Sequence, residues 1–330
     1  MNKKNTSSFW KHKNVLVTGG TGFIGSFVVE QLVSLGANVT VLDRLIDGRI
    51  RHIANLKHVV RFISGDCTDP KSAYRACKRQ DIVMNLAARV GGIEFNRAHQ
   101  ATMFRDNILI AATMIEAARK AEVERFLVVS SACVYPHDAV VPTAETEGLK
   151  GEPEETNGGY GWAKRMAERI GIYYKEEFGM KIGIARPYNA YGPRDHFDPE
   201  SSHVIPALIK RIFDGENPLV VWGSGRQTRA FLYVEDFAQG LIKTIEKYPV
   251  ADPVNIGTDE EISIRDLVGK ILTISGKKIR VVFDKTKPDG SPRRNSDNTK
   301  AKAKLDFVAR TPLDEGLSKT ISWYQEKSFA

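Results

Sequence analysis

Cysteine is scarce in this sequence: three residues in 330, Cys67, Cys77 and Cys133. They cannot all pair with one another and none forms a CxxC, so a disulfide scaffold and structural zinc both lack their raw material. A reducing compartment, the cytoplasm, is the expected setting. Long apolar runs are missing as well. No stretch reaches the roughly 18–20 residues of a membrane span. Residues 1–13 are polar and basic without an apolar centre, so no secretory signal is expected there. No segment repeats at a fixed period or falls into low complexity. Neither sign of charge dominates: 48 Lys+Arg face 40 Asp+Glu, a net of +8. The basic residues are interspersed with acids, and the densest cluster, Lys285 to Arg294, is broken by Pro288 and Pro292. A solvated basic surface comes first as a reading, an anionic small molecule such as a nucleoside diphosphate second, nucleic acid third.

What is present is an ordinary globular composition, 42% apolar and 27% charged. That length and balance predict one large domain or two coupled ones with a substantial core. Strands and helices alternate. Val15–Thr18, Val39–Asp43, Val59–Ile63, Asp81–Ala88, Arg125–Ser131 and Ile182–Ala185 read as strands. Residues after Gly22, about Ala98–Lys120, Trp162–Phe178 and Val204–Phe213 read as helices. The rhythm predicts an α/β fold: a doubly wound parallel sheet with helices on both faces, of the Rossmann type, and a smaller mixed α/β lobe. The expected division is a dinucleotide-binding domain over 1–186, completed by about 228–258. A substrate-binding lobe over 187–227 and 259–330 accompanies it. Tyr135–Gly159, rich in Pro, Glu, Gly and Thr, reads as a long surface loop.

The first strand runs into Gly19-Gly-Thr-Gly22-Phe23-Ile24-Gly25 and then a helix. Gly19 permits a tight turn, Gly22 lets the backbone approach a pyrophosphate, and Gly25 lets helix and strand pack closely. Phe23 and Ile24 open the helix and join the expected cofactor contacts. A glycine triplet alone is weak evidence; between a strand and an amphipathic helix it points to dinucleotide binding. Asp43 ends the second strand, 18 residues after Gly25. A carboxylate there accepts ribose hydroxyls and repels a 2′-phosphate, which predicts NAD over NADP. Asp66, with Cys67 beside it, either meets the adenine or caps the next helix.

Tyr160 and Lys164 form a YxxxK, which on a helix puts both side chains on one face. An ammonium beside a phenol favours the phenolate and makes the tyrosine a proton-transfer group. The motif follows a strand ending in Ser130-Ser131 and lies downstream of the glycine loop.

Together, TGGTGFIG, Asn85–Ala88, Ser131, Tyr160/Lys164 and Arg186-Pro-Tyr-Asn-Ala-Tyr-Gly-Pro193 resemble the extended short-chain dehydrogenase/reductases that modify nucleotide sugars. The matches follow the family's order over nearly the whole chain. Dehydratases of that family carry an Asp-Glu pair near Ser131-Ala-Cys-Val-Tyr-Pro136; here it is absent. Ala88-Arg-Val-Gly-Gly-Ile93 and Ser130–Pro136 resemble the GDP-mannose 3,5-epimerases and the GDP-fucose synthases. Ser202-His-Val-Ile-Pro-Ala207 resembles the synthases. Trp222–Arg229, Pro253–Gly257 and Arg294–Asn298 resemble the epimerases, although those usually carry a lysine where this chain has His203.

The resemblance implies NAD as cofactor, held also by Ala87, Ala88, Tyr160, Lys164 and Tyr188. It implies a nucleotide-sugar partner, a GDP-hexose first, met by Gly91, Gly92, Asn189, His203, Val204, Trp222, Arg229 and Arg294. The two arginines suit a diphosphate. A homodimer is the family's usual state; no metal, nucleic acid or membrane is implied. The expected activity is 3,5-epimerisation of GDP-mannose. Tyr160, Lys164 and Ser131 would oxidise C4 transiently. The resulting ketone acidifies C3 and C5, where Cys133 and His203 would act as base and acid. The alternatives are a GDP-4-keto-6-deoxymannose epimerase/reductase of the synthase type, a simple 4-epimerase, and a non-enzymatic NAD-binding regulator on the same fold. Cys133 as a small buried hydrophobe and His203 as a mere helix cap are the bland readings.

Overall fold

The computed structural model describes residues 9–44, 46–91, 93–198, 202–287 and 289–328. The first half builds β1 (Asn14–Thr18), α1 (Phe23–Ser34), β2 (Asn38–Asp43), β3 (Arg61–Ser64), α2 (Pro70–Cys77), β4 (Ile82–Asn85), α3 (Ile93–Ala98), α4 (Gln100–Lys120), β5 (Arg125–Val129), α5 (Gly158–Phe178) and β6 (Lys181–Pro187). The rest is shorter pieces: β7 (Ala190–Tyr191), α6 (Val204–Phe213), β8 (Leu219–Trp222), β9 (Thr228–Ala230), β10 (Leu232–Tyr233), α7 (Val234–Lys247), β11 (Val254–Ile256), β12 (Glu261–Ser263), α8 (Ile264–Ser275), β13 (Val281–Asp284), β14 (Arg293–Arg294) and α9 (Leu313–Ser328).

Seven strands form one parallel sheet in the order β11-β6-β5-β4-β1-β2-β3. Its central strands are apolar on both faces: Val15, Leu16, Val17, Ile82, Val83 and Met84 are all solvent-free. That is what a sheet covered on both sides requires. One face packs under α1 and α7 through Val28, Leu32, Phe237, Leu241 and Ile245. The other packs under α2, α4 and α5 through Ala73, Met114, Ala118 and Ala167. Strand order reverses between β1 and β4, so ligand-binding space opens at their carboxyl ends. Thr18 stitches that point. Its Oγ1 donates to Asn85 Oδ1 at 2.7 Å and accepts the Ala87 N–H at 3.0 Å. Outside that sheet lie the pair β13-β8, the three-stranded sheet β12-β9-β14, and α6, α8 and α9.

Trp10 is fully buried in the α1/α7 core and its Nε1 donates to Glu246 at 2.9 Å. Two expectations need correction. The stretch Tyr135–Gly159 is no free loop. It carries short 3-10 turns at Glu145–Leu149 and Glu155–Asn157 and bridges Pro136 to Pro153 and Thr143 to Ser296. Finally, α5 begins at Gly158, not Trp162, because Gln100 on α4 accepts the Gly159 N–H at 2.5 Å. That side chain supplies the cap no local residue offers.

Candidate active site

The dinucleotide loop is preorganised by its own backbone. Gly22 donates to Gly19 O at 3.0 Å, and a Cβ on Gly25 would stand 2.1 Å from that same oxygen. Only glycine allows this approach. Phe23 and Ile24 follow, half-buried, in the first turn of α1. That helix carries no acidic residue in its first turn and no side-chain cap, so its N–H groups remain available to an anion. Asp43 lies at the loop as expected. Its Oδ2 accepts from both Thr21 N at 3.1 Å and Thr21 Oγ1 at 2.6 Å. His52 reaches the loop too, with Nδ1 3.0 Å from Thr21 O.

Asp66 resolves its two readings in part. It closes its own turn by accepting from Thr68 N and Oγ1, both at 2.8 Å, which with the backbone bond first holds its carboxyl below the ordinary range. The cap of α2 is Asp69 instead. Cys67 is buried beside it, and burial pushes the thiol up to about 12, with the Asp66 and Asp43 charges adding to the effect.

The chemistry-bearing residues converge where β5 meets α5. Ser131 follows β5 and caps a short turn, Ala132–Val134, by accepting the Cys133 N–H at 3.1 Å. Its hydroxyl lies close enough to Tyr160 to favour the phenolate. Gly161 explains how α5 comes so near: a Cβ there would lie 2.5 Å from Cys133 O. Lys164 Nζ lies 5.4 Å from the Tyr160 ring centroid and donates to Val129 O at 2.8 Å. Burial drives the Lys164 ammonium down to about 8, opposed by Cys133 and Glu168. Burial also pushes the Tyr160 phenol above its ordinary value, Cys133 adds to the rise, and the Ser131 hydroxyl opposes it. Desolvation outweighs any lowering by the lysine, contrary to the sequence argument. Ser131, Cys133, Tyr160 and Lys164 thus form one electrostatically coupled cluster.

His203 stands apart from that cluster. It is the N-cap residue of α6, exposed, with no capping bond from its side chain. Surrounding protein atoms first, and then His196, hold its imidazole below the ordinary value. Val204 begins α6 beside it.

Arg229 and Arg294 face each other in register across β9 and β14. Arg229 Nη1 donates to Thr228 O at 2.7 Å and Ser291 O at 2.8 Å. Arg294 pairs with Glu154 at 3.2 Å and reaches Ala132 O at 3.4 Å. Two guanidiniums opposite each other repel unless an anion joins them. Trp222 is 54% exposed, with Lys287 Nζ 5.4 Å from its ring. Asn189 donates to Ala230 O at 2.9 Å. Tyr188 is buried against Tyr135 behind the Ser131–Cys133 turn. Ala88 follows Ala87 in the segment after β4, and Gly91 packs close to Phe95 on α3. Gly92 lies outside the described residues.

Residues 15–257 match the NAD dependent epimerase/dehydratase family. The chain belongs to that family. It is an enzyme fold with NAD as its cofactor. The chain is 34% identical to GDP-L-fucose synthase of Escherichia coli, covering 95% of this chain and 97% of that protein. It is 32% identical to dTDP-4-dehydro-6-deoxy-D-allose reductase of a Streptomyces species, over 97% and 98%. Among solved structures, UDP-glucose 4-epimerase of Thermotoga maritima superposes with a TM-score of 0.85 at 29% identity, over 96% of this chain and 99% of that one.

The glycine cradle, the uncapped α1 N-terminus and the Asp43 carboxylate fit a dinucleotide. Sequence reasoning missed three residues of this region. Asn107, buried on α4, donates to Arg89 O at 3.0 Å and accepts the Arg89 N–H at 3.1 Å, fixing the segment after β4. Glu168 and Arg186 lie behind the Tyr160 cluster. Glu168 was findable, since it repeats the spacing from Tyr160 to Lys164 once more along the helix.

Proposed function

We propose that this chain is an epimerase/reductase acting on a 4-keto-6-deoxyhexose carried by a nucleoside diphosphate, GDP first. The observation that carries the reading is the placement of Cys133: its turn after β5 packs against the start of α5, where a Cβ on Gly161 would lie 2.5 Å from Cys133 O, beside Tyr160 and Lys164. A simple 4-epimerase has no use for a thiol there. The similarity to GDP-L-fucose synthases and to a 4-dehydro-6-deoxyhexose reductase supports this reading over 3,5-epimerisation of GDP-mannose.

The ketone at C4 makes the C3 and C5 protons acidic through an enolate. Cys133 removes such a proton as the general base, and His203 returns one to the opposite face. Tyr160 then gives its phenolic proton to O4. A phenol held above its ordinary value stays protonated at neutral pH, which suits a donor. Ser131 orients that phenol, and the Lys164 ammonium offsets the phenolate that forms. The glycine loop and Asp43 would hold the nicotinamide cofactor, which in its reduced form would supply the hydride for C4. Arg229 and Arg294 clamp the diphosphate, and Gly91, Asn189, Val204 and Trp222 line the rest of the substrate. A homodimer through α4 and α5, which expose Phe104, Leu109 and Tyr173, belongs to the same proposal.

Asp43 favours a second reading. Its carboxylate suits NAD, and a redox-neutral 3,5-epimerase needs only NAD⁺ returned unchanged. Net cofactor turnover separates the two. With GDP-4-keto-6-deoxymannose and NADH or NADPH in D₂O, one cofactor should be oxidised per sugar, with deuterium entering C3 and C5. Cys133→Ser should lose deuterium entry by about 10²–10⁴-fold while C4 reduction persists. Deuterium exchange into GDP-mannose with no net cofactor oxidation would establish the second reading instead.

A further inference from the structure

A buried polar chain runs behind the Tyr160 cluster. Arg186 donates from Nε to Glu168 Oε1 at 2.8 Å and from Nη2 to Oε2 at 2.7 Å, and each side chain is 3% exposed. Ser130 Oγ donates to Glu168 Oε1 at 2.5 Å. Arg186 Nη1 reaches Glu145 O at 2.6 Å and the Tyr135 hydroxyl at 3.2 Å, and Tyr135 donates to Asn255 Oδ1 at 2.6 Å. Six segments meet here: the end of β5, α5, the end of β6, the turn after β5, the 3-10 turn at Glu145–Leu149, and β11.

Desolvating two charges is costly, and an apolar pair of similar volume packs at least as well. Stability alone is therefore a poor reason for this pair. Its placement supplies a better one. Glu168 lies one helical turn after Lys164 and two after Tyr160. Ser130 adjoins Ser131, and Arg186 adjoins the Pro187–Asn189 segment. We propose that Glu168, clamped by Arg186, is a positioning residue for the proton-transfer pair: it fixes α5 against the Ser131–Cys133 turn and keeps the Lys164 ammonium charged. This rests on the reading of Tyr160 and Lys164 as that pair.

The groups facing Lys164 are few. They are Tyr160 and Glu168 from its own helix, Cys133 from the turn after β5 with Ser131 acting through Tyr160, and the Val129 carbonyl from β5. A thiol opposes desolvation only when ionised, whereas Glu168 in its bidentate pair supplies a standing negative charge. Arg165, Tyr135 and Arg186 face Glu168 in turn. Removing Glu168 alone also leaves Arg186 buried without its partner charge, which is why the double variant is needed.

The test uses the full-length protein with ¹³Cε-labelled lysine, the Lys164 resonance being assigned by its loss in Lys164→Met. Its titration is followed by NMR in wild type, in Glu168→Gln and in Glu168→Met/Arg186→Met, the last replacing both charges so that folding is kept. Turnover of GDP-4-keto-6-deoxymannose is measured against pH, with Tyr160→Phe as control. We expect the Lys164 midpoint to fall by about one pH unit or more in both Glu168 variants. The basic limb of kcat should move down with it, and KM should change little. An unshifted midpoint in the folded double variant would overturn the proposal, whatever happens to turnover. An active Tyr160→Phe would instead overturn the function reading, leaving Glu168 to be judged on the Lys164 midpoint.

Discussion

Asp195 has one carboxylate oxygen, Oδ1, accepting the His196 N–H at 2.7 Å, while Oδ2 is buried without a partner among the described residues. Burial pushes its carboxyl up to about 7, only partly offset by that N–H. Between about pH 4, where the unfolded aspartate titrates, and about pH 7, the folded state therefore holds the proton more tightly. Its contribution to stability is full below that window and is lost as pH rises through it. Asp195→Asn removes the term without changing shape. The wild-type Tm minus the Asn-variant Tm should decrease steadily from pH 4 to 7.5; a difference flat with pH would refute the buried-acid assignment. Nothing in Gly-Pro-Arg-Asp-His announces this burial. Tyr160, Lys164 and Ser131 were legible because helical spacing and strand ends are local facts. Asp195, Glu168 and Trp10 were not, because what buries each comes from distant chain.

The glycine loop and its flanking strand and helix are the most legible element. Glycine spacing, strand and amphipathic helix all agree before any tertiary contact is considered. The position of Asp43 at the end of β2, beside the glycine loop, was legible, but its bond to Thr21 was not, since it crosses from one element to the next. That bond makes Asp43 a loop brace, and we propose that its charge selects the cofactor as well. Wild type should bind NADH more tightly than NADPH in fluorescence titrations. Asp43→Asn keeps an acceptor for Thr21 but loses the charge. The NADH preference should then shrink by about 10–100-fold, the worth of a charge-assisted hydrogen bond. Equal or tighter NADPH binding by wild type would remove Asp43 from this role and strengthen the NADPH-dependent reductase. Other elements were read with shifted ends. The end of β4 and the start of α5 moved because their limits are set by Thr18 and Gln100, side chains far along the chain.

At the scale of the whole molecule, chain order and domain order part company. We propose that the dinucleotide-binding unit is residues 1–186 completed by about 228–258, with the substrate lobe formed from 187–227 and 259–330. The physical case lies in α7 and β11. α7 buries Val234, Phe237, Leu241, Ile242 and Ile245 against α1, β5 and β6, and Gln31 on α1 donates to Glu235 O at 2.8 Å. β11 pairs with β6 in register from Val254 to Ile256. Burying five large apolar side chains at about 1.5–3 kcal/mol each amounts to roughly 10 kcal/mol, as much as an ordinary domain's entire net stability. A fragment ending at residue 186 forfeits that and exposes the edge of β6 to another chain's strands. Expressed alone, 1–186 should aggregate or lack a cooperative thermal transition by circular dichroism, and should not bind NADH. Fusing 228–258 behind it through a flexible linker should restore both cooperativity and binding. A cooperative, NADH-binding 1–186 fragment would show that the nucleotide unit needs nothing from the second half. The boundary would then lie at residue 186 in folding as well as in sequence.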